Sequence, residues 1–196
     1  MSPAHWPRID GPSRVRSLVA FGTTVLLLVS VALNVALGRR LQAFMEPEDR
    51  STLIGTAVPP LDVRTIDGHA VEIRFDERPT ILYYFSPNCG WCERNWTNVQ
   101  ALIASVGQRY RFVGLSTVAD VSPYMASHHL SFEVYSGLTL ETARLYHLGG
   151  TPQTIVVAAD GRIQYSWSGA YRSRRQHDVE RAFGVVLPGI ADVVAH

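Results

Sequence analysis

Hydrophobic and polar positions divide the chain into two unlike parts. From residue 17 to residue 37 no charged side chain occurs, and a helix of that length rises about 31 Å, enough to cross a hydrocarbon core. Arg8, Arg14 and Arg16 precede this run and Arg39 and Arg40 follow it, so the balance of positive charge tips only slightly toward an inside N-terminus. Ala36-x-Gly38 has the small-residue spacing of a cleavage site, but the apolar run is longer than a signal core. That length favours a retained anchor over a removed signal or a buried soluble helix. The boundaries follow from these shifts: a tail at 1–16, an anchor or signal at 17–37, a charged linker at 38–55, one domain at 56–186 and a short tail at 187–196.

Beyond the linker the periodicity alternates between that of strands and that of helices. The runs 61–66 and 70–75 flank Asp67-Gly68, a hairpin signal. TILYYF at 80–85 is continuously apolar, as a strand buried on both faces must be, and is predicted to be central. After Cys89, the positions Cys92, Trp96, Val99, Leu102, Ile103 and Val106 recur at helical spacing until Gly107 stops them. A strand at 111–116, a short helix after Ser122-Pro123, a strand at 132–135 and a helix at 140–147 closed by Gly149-Gly150 come next. The domain ends with strands at 154–158 and 162–167 around Asp160-Gly161 and a helix at 175–183. This order predicts an α/β domain, a central mixed sheet flanked by helices on both faces, preceded by one transmembrane helix.

Composition narrows the function classes. The 196 residues are 46% hydrophobic and 18% charged, with a net charge of +1, which excludes collagen, extended disorder and any overall pull toward nucleic acid. All 18 basic residues are Arg, so lysine Schiff-base chemistry is excluded. The cluster Arg172, Arg174, Arg175 reads as a solvated helix start.

The chemistry lies in the two cysteines, Cys89 and Cys92, spaced C-x-x-C where a buried strand turns through Ser86-Pro87-Asn88 into a helix. Unpaired N–H groups and the positive dipole end at a helix start favour a thiolate, which makes Cys89 the nucleophile. Cys92, almost one turn deeper, is placed to close a disulfide with it. A purely structural disulfide over so short a loop would restrict the unfolded chain little, and zinc would need two further ligands that His128 and His129 do not convincingly supply. A redox dithiol is the favoured reading, with no metal and no organic cofactor. Glu93, four residues after Cys89, shares its helix face and is a candidate for tuning its pKa by opposing the thiolate. Trp91 reads as a lid, as part of a docking surface, or as an aromatic packed at the rim. Tyr146 and His147 lie near the Thr-Pro turn, with a capping role favoured for His147.

Phe85-Ser86-Pro87-Asn88-Cys89-Gly90-Trp91-Cys92, Gly150-Thr151-Pro152-Gln153-Thr154 and Asp160-Gly161-Arg162-Ile163 resemble the thioredoxin-like fold, and more narrowly the membrane-anchored, TlpA-like thiol-disulfide reductases and their redoxin relatives. The resemblance covers about residues 56–186. It implies a cis peptide at Thr151-Pro152 facing the cysteines, with Thr151 backbone groups pairing to an extended substrate segment. Together with Trp91, where that residue serves as a docking surface, Thr151 and Pro152 make up the expected substrate-binding set. It implies a bacterial inner-membrane protein with its domain outside, reducing disulfide-containing extracytoplasmic proteins such as apocytochrome c or copper-site proteins. A membrane thiol-disulfide donor would re-reduce the pair. The chain also departs from the pattern. Relatives carry a carboxylate six residues before the first cysteine or six after it, where this chain has Tyr83 and Asn95, and a basic residue where it has Glu93. The Gly90-Trp91 pair differs from the better-known intervening pairs, leaving the direction of electron flow open between reductase and oxidase. A Cu(I) chaperone binding through both thiolates is a further alternative. A thiol peroxidase fits least, because Ser86 matches that pattern and Leu82 does not.

Overall fold

The computed structural model describes residues 13–45 and 53–190. Within the first stretch α1 (Ser13–Met45) is a single helix of 33 residues, about 50 Å long. Its Phe21–Gly38 window has a mean hydropathy of 2.0 and no buried residue, so the helix is long and apolar enough to cross a membrane. It outruns the expected 17–37 segment at both ends. Most of the expected N-terminal tail, the later part of the linker and the end of the C-terminal tail lie outside the described residues.

The second unit is built on a five-stranded sheet of order β5-β4-β3-β6-β7. Its strands are β3 (Thr80–Phe85), β4 (Arg111–Ser116), β5 (Glu133–Tyr135), β6 (Gln153–Val157) and β7 (Ile163–Ser168). The pairings β3·β4 and β4·β5 are parallel, while β3·β6 and β6·β7 are antiparallel. The sheet is therefore mixed, with the TILYYF strand at its centre, as the unbroken apolar run requires. The hairpin forms with β1 (Leu61–Arg64) and β2 (Ala70–Ile73) paired antiparallel, but as a sheet of its own.

Alternation along the central strands feeds two cores. Ile81, Tyr83 and Phe85 of β3, Phe112 of β4 and Val156 of β6 enter one. There they meet Val99, Leu102 and Val106 of α2 (Gly90–Val106) and Val179 and Phe183 of α5 (Arg174–Phe183). Tyr124 and Met125 of α3 (Ser122–His128) pack at the edge of the same core. Leu82, Val113, Leu115, Ile155 and Val157 point the other way, where Leu61, Val63 and Ile73 of the hairpin cover them. Tyr146 joins this second core just after α4 (Leu140–Leu145), and its hydroxyl donates to the Pro59 carbonyl. It thus pins the approach to the hairpin and does not border the cysteines.

Two glycines are demanded by geometry. Gly107 closes α2 at φ 51 with its N–H on the Ile103 carbonyl. At Gly114 an added Cβ would lie 2.8 Å from Phe132 Cε2 and 3.2 Å from Phe85 Cε1, so only a residue without a side chain lets those rings close over β4. The expected stop of α4 at Gly149-Gly150 comes earlier, because His147 takes up the left-handed conformation at φ 48. Its carbonyl is then fixed by Gln153 Nε2 at 3.1 Å.

Candidate active site

β3 delivers the chain to the Ser86-Pro87-Asn88 turn, and Cys89 becomes the N-cap of α2, with extended φ −95 and ψ 106. Its sulfur does what a Ser or Asp oxygen does at other helix starts: Sγ accepts from the Cys92 N–H at 3.1 Å. A segment far along the chain completes the pocket. The Cys89 thiol donates to the Thr151 carbonyl at 3.4 Å, and the Thr151-Pro152 peptide is cis. Pro152 is buried behind it, with its carbonyl taken by the Gly169 N–H at 2.6 Å.

Both cysteines are free thiols, Cys89 part-exposed and Cys92 buried. Burial raises the Cys89 thiol, yet hydrogen bonds from the Cys92 and Thr151 side chains and from the Cys92 and Trp91 backbone outweigh it and leave the thiol more acidic than usual. Cys92 goes the opposite way. Burial, joined by the hydrogen bond and charge of Cys89, pushes it up to about 12. One sulfur is poised to attack while the other holds its proton, which is the division of labour thiol-disulfide exchange needs.

Beneath the thiols, Tyr83 and Asn95 are both buried and bonded to each other, Asn95 Nδ2 donating to the Tyr83 hydroxyl at 3.4 Å. Asn95 Oδ1 accepts from the Tyr171 N–H at 2.8 Å and from Asn98 Nδ2 at 3.2 Å, and Asn98 Nδ2 also reaches the Tyr171 carbonyl at 3.2 Å. Thr154 and Tyr171 share a hydroxyl hydrogen bond of 2.6 Å. Burial, reinforced by Tyr171, holds the Tyr83 phenol well above its ordinary range. The network is satisfied and uncharged, so the positions noted for a carboxylate do structural work here.

Glu93 and Trp91 are placed by contacts the sequence did not announce. The Glu93 carboxylate sits 3.1 Å from His128 Nε2 at the end of α3. The His128 ring packs on Tyr124 at 4.2 Å and on Trp96 at 5.5 Å. Burial raises the Tyr124 phenol, with Glu93 and both cysteines adding to the effect, so its hydroxyl belongs to the site's surroundings. Trp91 stands at the rim with the guanidiniums of Arg94 and Arg172 over its ring. Arg172, expected at a solvated helix start, precedes α5 and belongs to this rim. No group of three or more His, Cys, Asp or Glu side chains suited to a metal occurs among the described residues.

No protein-family model matches the chain, and no curated protein is detectably similar to it in sequence. Solved structures are similar in shape. StoA from Bacillus subtilis superposes with a TM-score of 0.51 at 19% identity, over 65% of this chain and 99% of its own. The thioredoxin domain of a thiol-disulfide oxidoreductase from Bacteroides vulgatus gives 0.54 at 16%, over 66% and 97%. A thiol:disulfide interchange protein from a Bacteroides species gives 0.53 at 17%, over 67% and 90%. The chain has a thioredoxin-like fold. Identities this low establish the architecture, namely the mixed sheet with a helix springing from the end of its central strand, and any shared chemistry would lie in Cys89 and Cys92.

Proposed function

We propose that the protein is a thiol-disulfide oxidoreductase acting on proteins, with Cys89 as nucleophile and Cys92 as resolving thiol. The observation that carries this reading is the Cys89 sulfur seated as the N-cap of α2, 3.1 Å from the Cys92 N–H, with the Cys92 thiol buried behind it. The resemblance to disulfide interchange proteins supports it. In the reducing direction the Cys89 thiolate attacks a substrate disulfide, forming a mixed disulfide and releasing one substrate thiolate, which takes a proton. Cys92 then loses its proton and displaces the second substrate sulfur, leaving a Cys89–Cys92 disulfide and a substrate reduced by two electrons. Thr151 and Pro152, opposite Cys89, would guide the substrate segment. A membrane thiol-disulfide donor would return the two electrons, and neither metal nor organic cofactor enters the cycle.

The apolar α1 supports placement as a single-pass protein of a bacterial inner membrane with the domain outside, serving disulfide-containing extracytoplasmic proteins, apocytochrome c and copper-site proteins among them. Protease added to intact spheroplasts should then digest the domain, and a domain protected until lysis refutes that placement. Cys92→Ser tests the chemistry, because an attack by Cys89 that cannot be resolved leaves substrates covalently held. Recovery of no thiol-releasable protein from native membranes would count against a protein substrate. Equilibration with a glutathione buffer separates reductase from oxidase, since a reductase holds the lower potential.

A further inference from the structure

Trp91 lies between the two cysteines in sequence and remains 42% exposed. Arg94 stands with its guanidinium carbon 5.0 Å from the indole centroid, and Arg172 with its own at 4.8 Å. Arg94 reaches the ring as a neighbour three residues on along α2. Arg172 comes from the loop after β7 and is positioned from below, because Tyr171, the residue before it, is bound to the buried amides of Asn95 and Asn98 through both its N–H and its carbonyl. Arg175 stands behind, donating to the Ala170 carbonyl at 3.1 Å, its guanidinium destabilised by burial and by Arg172 and partly compensated by Asp178.

Arg94 and Arg172 have no carboxylate within ion-pair distance among the described residues, whereas Arg175 is favoured in part by Asp178. Among the described residues Arg74, Arg111, Arg162 and Arg181 each have a carboxylate within ion-pair distance; several other arginines do not, but Arg94 and Arg172 are the two brought together over one exposed ring. Glu93, the acid nearest in sequence, is held by His128. An indole attracts a guanidinium through its quadrupole but neutralises no charge. Like charges gathered at an exposed rim, with their planar donors still available, are a binding surface for carboxylates.

We propose that Trp91, Arg94 and Arg172 form a docking surface for an acidic segment of the substrate protein, adjacent to the disulfide that Cys89 attacks. The proposal rests on the reading of Cys89 as the attacking thiol. The indole supports the substrate backbone while the two guanidiniums select for Asp or Glu near the target cystine. Complementarity of this kind at a rim acts mainly on association rate and on the choice of partner.

The test uses the reduced full-length chain in neutral detergent. It is mixed with disulfide peptides identical except that the residues flanking the cystine are Asp, Gln or Arg, and rates are read in a single turnover. The acidic peptide is expected to react about three- to tenfold faster than the basic one at low ionic strength. That ratio should fall toward one in about 0.5 M salt and in the double variant Arg94→Gln, Arg172→Gln. Equal rates for the three peptides, or a preference that survives in the double variant, would overturn the proposal. The uncharged reagent 2,2′-dipyridyl disulfide is run in parallel with the unmodified chain. Failure to consume it refutes the thiol-exchange reading itself, whereas consumption without peptide discrimination refutes only the docking surface. A lipid role is the other outcome. In a variant carrying Trp6→Phe, Trp96→Phe and Trp167→Phe, so that Trp91 alone reports, shielding of the fluorescence from iodide in phosphatidylglycerol but not phosphatidylcholine vesicles, without peptide preference, would assign the arginines to an anionic membrane and overturn the proposal.

Discussion

Replacing Cys92 by Ala removes the side-chain donor facing the Cys89 sulfur, whereas Cys92→Ser keeps a donor at that position. Burial works against the Cys89 thiolate, and the Cys92 side chain is the first of the groups that oppose it. A hydrogen bond to a charged acceptor contributes about 1.5–3 kcal/mol, and part-exposure of Cys89 places this one at the low end. At 1.36 kcal/mol per pKa unit, the alkylation midpoint of Cys89 should stand about one pH unit higher in Cys92→Ala than in Cys92→Ser. Rates alone would understate this, because a less acidic thiol is a better nucleophile with a Brønsted slope of about 0.4–0.5. Well below both midpoints, Cys92→Ala should react about three- to fourfold more slowly, and on the alkaline plateau about threefold faster. The two pH profiles therefore cross. Iodoacetamide kinetics on the full-length chain measure them directly, since Cys89 is the one thiol left in either variant. Superimposed profiles would show that the backbone N–H groups of Cys92 and Trp91 hold the sulfur unaided and that the Cys92 side chain contributes nothing.

Asn95→Ala leaves the Tyr171 N–H and the Asn98 amide each short of an acceptor in the interior and should cost about 2–4 kcal/mol, read by thermal unfolding. A loss below about 1 kcal/mol would mean the network repairs itself. Gly114→Ala drives a methyl into Phe132 and Phe85 and should destabilise by about 1–3 kcal/mol, and an unchanged Tm would show that the rings have room to retreat. Glu93→Lys exchanges an acid for a base four residues from Cys89 and should lower the alkylation midpoint, by less than about half a pH unit because the side chain is 58% exposed. An unmoved midpoint would show that His128 alone sets the direction of this carboxylate.

What was readable in the sequence was what short-range pattern controls. An almost unbroken apolar run rich in β-formers pointed to an interior strand, Gly107 to the end of α2, and the C-x-x-C spacing to two sulfurs at one strand-to-helix turn. Contacts between distant segments were not readable. Nothing in Arg172 distinguishes it from Arg174 until Tyr171 is seen tied to α2, and His128 reaches Glu93 only because α3 folds over the end of β3. The end of α4 was hidden for a related reason: Gly149-Gly150 is the less strained stop, but the bond from Gln153 to the His147 carbonyl favours turning earlier. Tyr83 and Asn95 were visible as departures, and their meaning as one buried network appeared only with their partners.

That network has a consequence for how the fold responds to acid and alkali. A carboxylic acid kept neutral in the interior has its pKa raised, so the folded state retains a proton that the unfolded chain gives up, and stability drains away as the medium rises above the acid's unfolded value. An amide at Asn95 does not ionise. Tyr83, kept neutral by burial, brings the same penalty only above the ordinary phenol range near pH 10. From strongly acidic to mildly alkaline surroundings the layer under the dithiol therefore adds no pH dependence to folding, and proton exchange at this site is confined to the sulfurs and the groups at its mouth.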